Sequence, residues 1–134
     1  MSAPGLDAAL ASAKEAVESG RWDEALGSLD GVEPTSLALN LRARALMGLG
    51  RRAEAREAFR AACDLDPSDA RPVANLALLL RDDGEVDEAL AMLERAIALG
   101  GPSARLLTNL ANTLAVAKRT SEAEEVYLRA LGLQ

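Results

Sequence analysis

Residues 75–99, NLALLLRDDGEVDEALAMLERAIAL, carry the strongest fold signal in the chain. Apolar residues recur there every three or four positions on both sides of a short polar break, RDDGE. That period is the mark of an amphipathic helix, and the break is a turn built on glycine. Neither helix can bury its apolar stripe alone, so the two are expected to fold against each other. The pattern does not stop at this hairpin. Ala43, Ala77 and Ala111 are spaced by 34 residues, and Ala13 stands 30 before the first of them. Ala25, Ala55, Ala89 and Ala123 form a second column with steps of 30, 34 and 34, each preceded directly by a glutamate: Glu24, Glu54, Glu88 and Glu122. Ala62, Ala96 and Ala130 form a third column, and Leu46, Leu80 and Leu114 a fourth, in which the first unit has only Ala16. Large residues recur at Leu29, Phe59, Leu93 and Tyr127, and turn glycines at Gly20, Gly50 and Gly84, where the fourth unit has Lys118. A fixed period of this length predicts a helical repeat array.

The columns have a physical reading. Alanines let two helices approach closely, and the large residues fill the space beside them. Glycine ends the first helix of each unit because it adopts the left-handed conformation without steric cost. The glutamate that follows lies in the first turn of the second helix, where the helix dipole favours an acid. The spacing predicts helices over Leu6 to Ser19, Arg21 to Leu29, Ser36 to Leu49, Ala53 to Leu65, Ala70 to Asp82, Val86 to Leu99, Ala104 to Ala117 and Ser121 to Leu131. Ser36 reads as an N-cap, and Pro72 falls in a first turn, where its missing N–H costs nothing. Residues 1–5 read as a loose end, and residues 6–134 as one domain of four units: 6–35, 36–69, 70–103 and 104–134. The first unit is four residues short, which predicts a second helix of only two to three turns.

The chain resembles the tetratricopeptide repeats on these residues: N-L-A at Asn75–Ala77 and Asn109–Ala111, G-x-x-x-E-A at Gly50–Ala55 and Gly84–Ala89, and the pair Asp66–Pro67. The resemblance covers about residues 6 to 134. It implies an all-α, right-handed α-solenoid of about four helix–turn–helix units, and a protein-interaction module rather than an enzyme.

Composition narrows the function independently. The chain holds no histidine, which removes the commonest general base and metal ligand. A single Cys63 gives neither a disulfide nor a zinc site, and its spacing from Phe59 and Ala62 reads as a small buried hydrophobe. No phosphate-binding glycine loop or nucleophile elbow is present. Carboxylate pairs such as Asp82–Asp83, Asp87–Glu88 and Glu124–Glu125 fall at turns or in first helical turns, as solvated dipole partners do. No cofactor or metal is expected. The net charge of −6 disfavours phosphate neutralisation, so a nucleic-acid partner is not expected. No apolar run is long enough to span a bilayer, and the start lacks the features of a secretory signal. These features, with an Ala- and Arg-rich composition, fit a cytoplasmic protein from a GC-rich bacterium.

The remaining signal lies on the first helix of each unit. Stacked units line these helices along one wall, which superhelical curvature makes concave. Asn75 and Asn109 are 34 apart, as are Arg71 and Arg105 one turn earlier; Asn40 and Arg44 lie one turn apart on the preceding first helix, and Asn112 one turn after Thr108. An asparagine ladder can bond an extended peptide backbone whatever its side chains, and arginine can grip a carboxylate with two parallel bonds. The first helices of the last three units carry Arg42, Arg44, Arg71, Arg81 and Arg105 against Asp82 alone, whereas the second helices hold most of the acid. Leu10, Val17, Met47 and Leu78 are expected to add apolar contacts. This resembles the peptide grooves of tetratricopeptide domains, including those that clamp a C-terminal carboxylate; Asn40, Arg44, Asn75, Arg105 and Asn109 are the matching places. The partner so implied is a protein or peptide, acidic or bearing a free carboxylate. The same asparagines also serve, in such repeats, simply to bond the neighbouring helix. Two other readings stand beside this one. Val126, Leu128, Leu131 and Leu133 predict an uncovered face on the last helix, suited to self-association. Alternatively, the repeats are the appendage of a longer enzyme.

Overall fold

The computed structural model describes residues 3–133. Among these the chain forms eight helices: α1 (Ala3–Glu18), α2 (Trp22–Leu29), α3 (Ser36–Gly48), α4 (Arg52–Leu65), α5 (Ala70–Asp82), α6 (Val86–Gly100), α7 (Ala104–Val116) and α8 (Thr120–Gly132). They pair as the hairpins α1–α2, α3–α4, α5–α6 and α7–α8. The ends of α5 fall where the sequence places them. The main displacement is at α1, which begins at Ala3 rather than Leu6; Met1 and Ser2, the rest of the expected loose end, lie outside the described residues. Ser36 is a buried first helical residue rather than the N-cap of α3. The cap is Thr35, whose backbone is still extended and whose hydroxyl oxygen accepts from the Ala38 N–H at 3.1 Å. Capping requires that extended backbone, which a residue already inside the helix lacks.

The turns inside the hairpins share one geometry. Gly20, Gly50 and Gly84 have φ of 74°, 78° and 87°. The following residue donates its N–H five residues back, Arg21 to Ala16, Arg51 to Leu46 and Glu85 to Leu80, at 2.8–2.9 Å. This is the Schellman closure of a helix C-terminus. The donor residue is at once the first flanking residue of the next helix, so a single residue stops one helix and starts its partner. Lys118 makes the same turn with φ 63°, and Arg119 donates to Leu114. A side chain in that conformation costs about 1–2 kcal/mol, so the tertiary contacts of α7 with α8 override the local preference.

Packing follows the columns. Every alanine of the three alanine columns is at most 3% exposed. Two compact units divide the chain, residues 1–67 and 68–134. In the first, α3 packs on both α1 and α2, around Ala13, Val17, Ala25, Leu29 and Leu41. Trp22 lies directly over Gly48 of α3, where a Cβ would sit 2.2 Å from its ring atoms. α2 has eight residues against fourteen in α4, and Gly31 (φ 77°) turns the chain away early. In the second unit, α7 packs on α5 and α6 around Leu90, Leu93, Leu107, Leu110 and Leu114. Val126 belongs to this core, which corrects the expectation that it lies on an open face. Tyr127, Leu128 and Leu131 of the same helix, and Leu133 just beyond its end, are exposed. Cys63 is buried. No described helix is long and apolar enough to cross a membrane.

Candidate functional site

In the second unit two polar stripes lie on neighbouring first helices. Arg71, Asn75 and Leu78 of α5 follow one another at one-turn intervals, and Arg105, Asn109 and Asn112 repeat that spacing on α7. Helical geometry puts each set on one face. The two helices touch, and none of the six side chains is buried: the two arginines are exposed and the other four half-buried. The α7 stripe is framed by local bonds. The Thr108 hydroxyl donates to the Ala104 carbonyl and the Thr113 hydroxyl to the Asn109 carbonyl, each at 2.7 Å. Thr113 is fully buried, and this bond satisfies its hydroxyl inside the core.

Two of the expected contact residues, Arg71 and Asn112, are engaged by named side chains, and so is Arg81 of the basic count. The Arg71 guanidinium holds Asp69 in a two-pronged pair, Nε to Oδ1 at 3.0 Å and Nη2 to Oδ2 at 2.9 Å. Asp69 also caps α5 by accepting from the Arg71 N–H at 3.0 Å, and its side chain is only 8% exposed. Arg71 is therefore neutralised by its own chain. Arg81 similarly leans on Asp82 at 3.4 Å. Counting charges helix by helix overlooks Asp69 because it sits one residue outside α5, so the basic character of this face is lower than the sequence count implies. Asn112 accepts from the Tyr127 hydroxyl of α8, which gives it a role between the helices of its hairpin. Among the described residues Arg105 forms no ion pair.

In the first unit, Asn40 is corrected from a wall residue to a core one: it is 3% exposed. Its amide is not stranded there, since no buried side-chain N or O among the described residues lacks a partner. Arg44, Leu10 and Met47 are half-buried, whereas Val17 is buried in the core and cannot offer a ligand contact. Asp69 and Tyr127 are the functional neighbours that pattern reading missed. Asp69 carried a legible signal, an N-cap residue just before a helix; the Tyr127 contact with Asn112 spans 15 residues and carried none.

The acid lies on the second helices. A cavity of about 310 Å³ between α6, α7 and α8 has an apolar floor of Ile97, Leu110, Leu114 and Val126, and Glu94, Glu122, Glu125 and Arg129 at its rim. At the start of three second helices an arginine grips the glutamate three residues on: Arg21 with Glu24, Arg51 with Glu54 and Arg119 with Glu122, each with a contact of 2.7 Å. The hydrogen bond from Arg51 holds the Glu54 carboxyl below its ordinary pKa, and Arg119 does the same for Glu122. A carboxylate with a depressed folded pKa stabilises the fold above its unfolded pKa, and that contribution disappears as pH falls through the folded value. The side chains are well exposed, so salt screens them and the contribution is small. In a carboxyl-resolved NMR titration, Arg51→Ala and Arg119→Ala are expected to raise the Glu54 and Glu122 midpoints back into the usual carboxylate range. Unmoved midpoints would show that the pairs do not persist in solution.

A tetratricopeptide-repeat family model matches residues 36–69, and a second matches residues 74–134. Comparison with curated proteins finds no significant match. Several solved structures are similar. The thermophilic TPR protein TTC0263 of Thermus thermophilus has a TM-score of 0.84 at 21% identity, over 96% of this chain and 73% of that one. YrrB, described as a TPR protein with an unusual peptide-binding site, has a TM-score of 0.79 at 19% identity, over 96% of this chain and 69% of that one. The second TPR of Spaghetti (RPAP3), solved with the HSP90 peptide SRMEEVD, has a TM-score of 0.70 at 19% identity, over 74% of this chain and 92% of that one. At such identities the likeness shows the fold, an α-solenoid of helix–turn–helix repeats.

Proposed function

The chain belongs to the tetratricopeptide repeat family, and we propose that it is a protein-interaction module that binds an extended peptide segment along the first helices of its repeats. The observation that carries this reading is the pair of matching stripes on α5 and α7. Asn75 and Asn109 occupy equivalent positions on touching helices, half-buried, as the rungs of a backbone-reading ladder would be. A primary amide both donates and accepts, so two rungs can follow a peptide main chain without dictating its side chains. Arg105, exposed and without an ion pair among the described residues, supplies the charge that selects an acidic side chain or a free C-terminal carboxylate. Arg71 contributes less because Asp69 already occupies it. Leu78 offers the apolar contact beside the ladder. Peptide complexes of similar folds, such as the RPAP3 repeat with its HSP90 peptide, support the choice of ligand class. Binding on α5 and α7 does not require Arg44.

A charge-assisted hydrogen bond contributes about 1.5–3 kcal/mol. Reversing Arg105 to Glu is therefore expected to weaken an acidic peptide, selected from a random library with free C-termini, by about tenfold or more. The circular dichroism spectrum should stay unchanged, because Arg105 is exposed. An affinity equal to that of the parent chain would sink the assignment of Arg105.

A further inference from the structure

We propose that the groove between α6 and α8, floored by α7, docks a basic segment of a partner protein, one apolar side chain of which enters the cavity there. This surface lies apart from the peptide face and does not depend on it. By helical geometry Leu110 and Leu114 lie on another side of α7 from Asn109 and Asn112. The cavity of about 310 Å³ reaches down to the core of the second unit. In that core Leu93 and Leu107 are fully buried, whereas Leu110 and Val126 keep 7% and 8% of their surface. Both lie in the cavity floor, beside the half-buried Ile97. An apolar floor under an open rim lets a side chain from outside gain burial without displacing a core residue.

The rim sets the charge of the partner. α6 and α8 together carry six carboxylates against two arginines, whereas α4 balances three carboxylates with three arginines. Glu122 is held by Arg119. Glu94 on α6 and Glu125 on α8 form no ion pair or side-chain hydrogen bond among the described residues, so each wall offers one unpaired carboxylate. The α6 carboxylates also act on the start of α8. The Arg119 guanidinium is pushed up first by its hydrogen bond and charge contact with Glu122, and further by Glu94 and Asp87. A segment with lysine or arginine on both sides of one apolar residue meets a carboxylate on each wall while that residue fills the floor. An acidic segment would bring like charges together at both walls. Arg129 shares the rim and pairs with neither Glu94 nor Glu125, so it opposes a basic partner and lowers its affinity.

The test is selection, on the immobilised full chain at low salt, from short synthetic peptides acetylated at one end and amidated at the other. These carry no terminal carboxylate for Arg105. Peptides with Lys or Arg on both sides of a Leu, Ile or Phe should be enriched. In calorimetric titration of such a peptide, a Glu94→Lys, Glu125→Lys double variant should bind about tenfold or more weakly. Replacing the peptide's apolar anchor with Ser should cost a similar factor. Arg129→Gln should bind more tightly than the parent chain, because it removes the like charge. An Asn75→Ala, Asn109→Ala variant should bind as the parent does, which separates this groove from the face on α5 and α7. The substituted rim residues are exposed, and circular dichroism checks that the variants fold; if the double reversal does not, Glu94→Gln with Glu125→Gln takes its place and should also weaken binding. A selection that yields no basic apolar sequence overturns the proposal. So does full affinity in the folded rim variant, weaker binding by Arg129→Gln, or loss of binding in the asparagine variant. A second copy of the chain in the groove would overturn it too, seen as a sedimentation mass that rises with concentration in the parent chain and not in the rim variant.

Discussion

Phe59→Ala is expected to destabilise residues 1–67 by about 3–5 kcal/mol, the range for removing a buried phenylalanine. Phe59 is 2% exposed and is the only phenylalanine of the chain. It occupies the column that Leu29 and Leu93 fill elsewhere, between alanines that are themselves fully buried. Small neighbours cannot swing in to close the void, which puts the cost near the upper end of the range. Phe59→Leu restores the residue type of the other repeats and should cost clearly less. The contrast within the column is part of the prediction: Tyr127→Ala, at a position 37% exposed, should cost much less than Phe59→Ala. Urea unfolding followed by Trp22 emission reads the first unit directly, because Trp22, half-buried, packs against its core and is the only tryptophan. A Phe59→Ala loss below about 1 kcal/mol would contradict a packed aromatic here.

Gly48→Ala should also destabilise, against what helix propensity alone predicts. Replacing a helical glycine with alanine ordinarily gains about 1 kcal/mol. At Gly48, however, the new methyl would lie 2.2 Å from two ring carbons of Trp22 and 2.7 Å from a third. These are atoms of the rigid ring body, so relief requires the whole indole to move away from α3. Overpacking of this kind costs about 1–3 kcal/mol, which outweighs the propensity gain. The expected result is a lower urea midpoint with a shifted Trp22 emission maximum. Trp22→Leu in the same chain should remove most of the penalty, because the ring is its cause. A Gly48→Ala chain more stable than its parent would show that the indole does not rest on α3 in solution.

The repeat was legible because its determinants are local and recur. Gly20, Gly50 and Gly84 mark turns by a conformation glycine adopts cheaply, and the alanine columns mark the close approach of paired helices. Even Lys118, which breaks the glycine column, takes the left-handed backbone because its hairpin imposes it. The candidate site was only partly legible, because helical spacing gives the face of a residue but not its partner. Asn40 and Asn75 look alike in sequence, yet one is buried and the other half-exposed. Arg71 and Arg105 are 34 residues apart on equivalent turns, yet only Arg71 has an aspartate two residues before it that folds back as both cap and counter-ion. The hydroxyl of Tyr127 reaches Asn112 only after α8 docks on α7. Local chemistry fixed the elements, and tertiary packing selected which polar residues remained on the surface.

Selection of peptides with free C-termini from a displayed random library, run in parallel on the parent chain and on an Asn75→Ala, Asn109→Ala double variant, tests the proposed binding face most directly. Extended, acid-rich sequences should be enriched on the parent chain and lost on a double variant that keeps its helical spectrum. Equal enrichment on both chains, or none on the parent, would contradict peptide binding along α5 and α7.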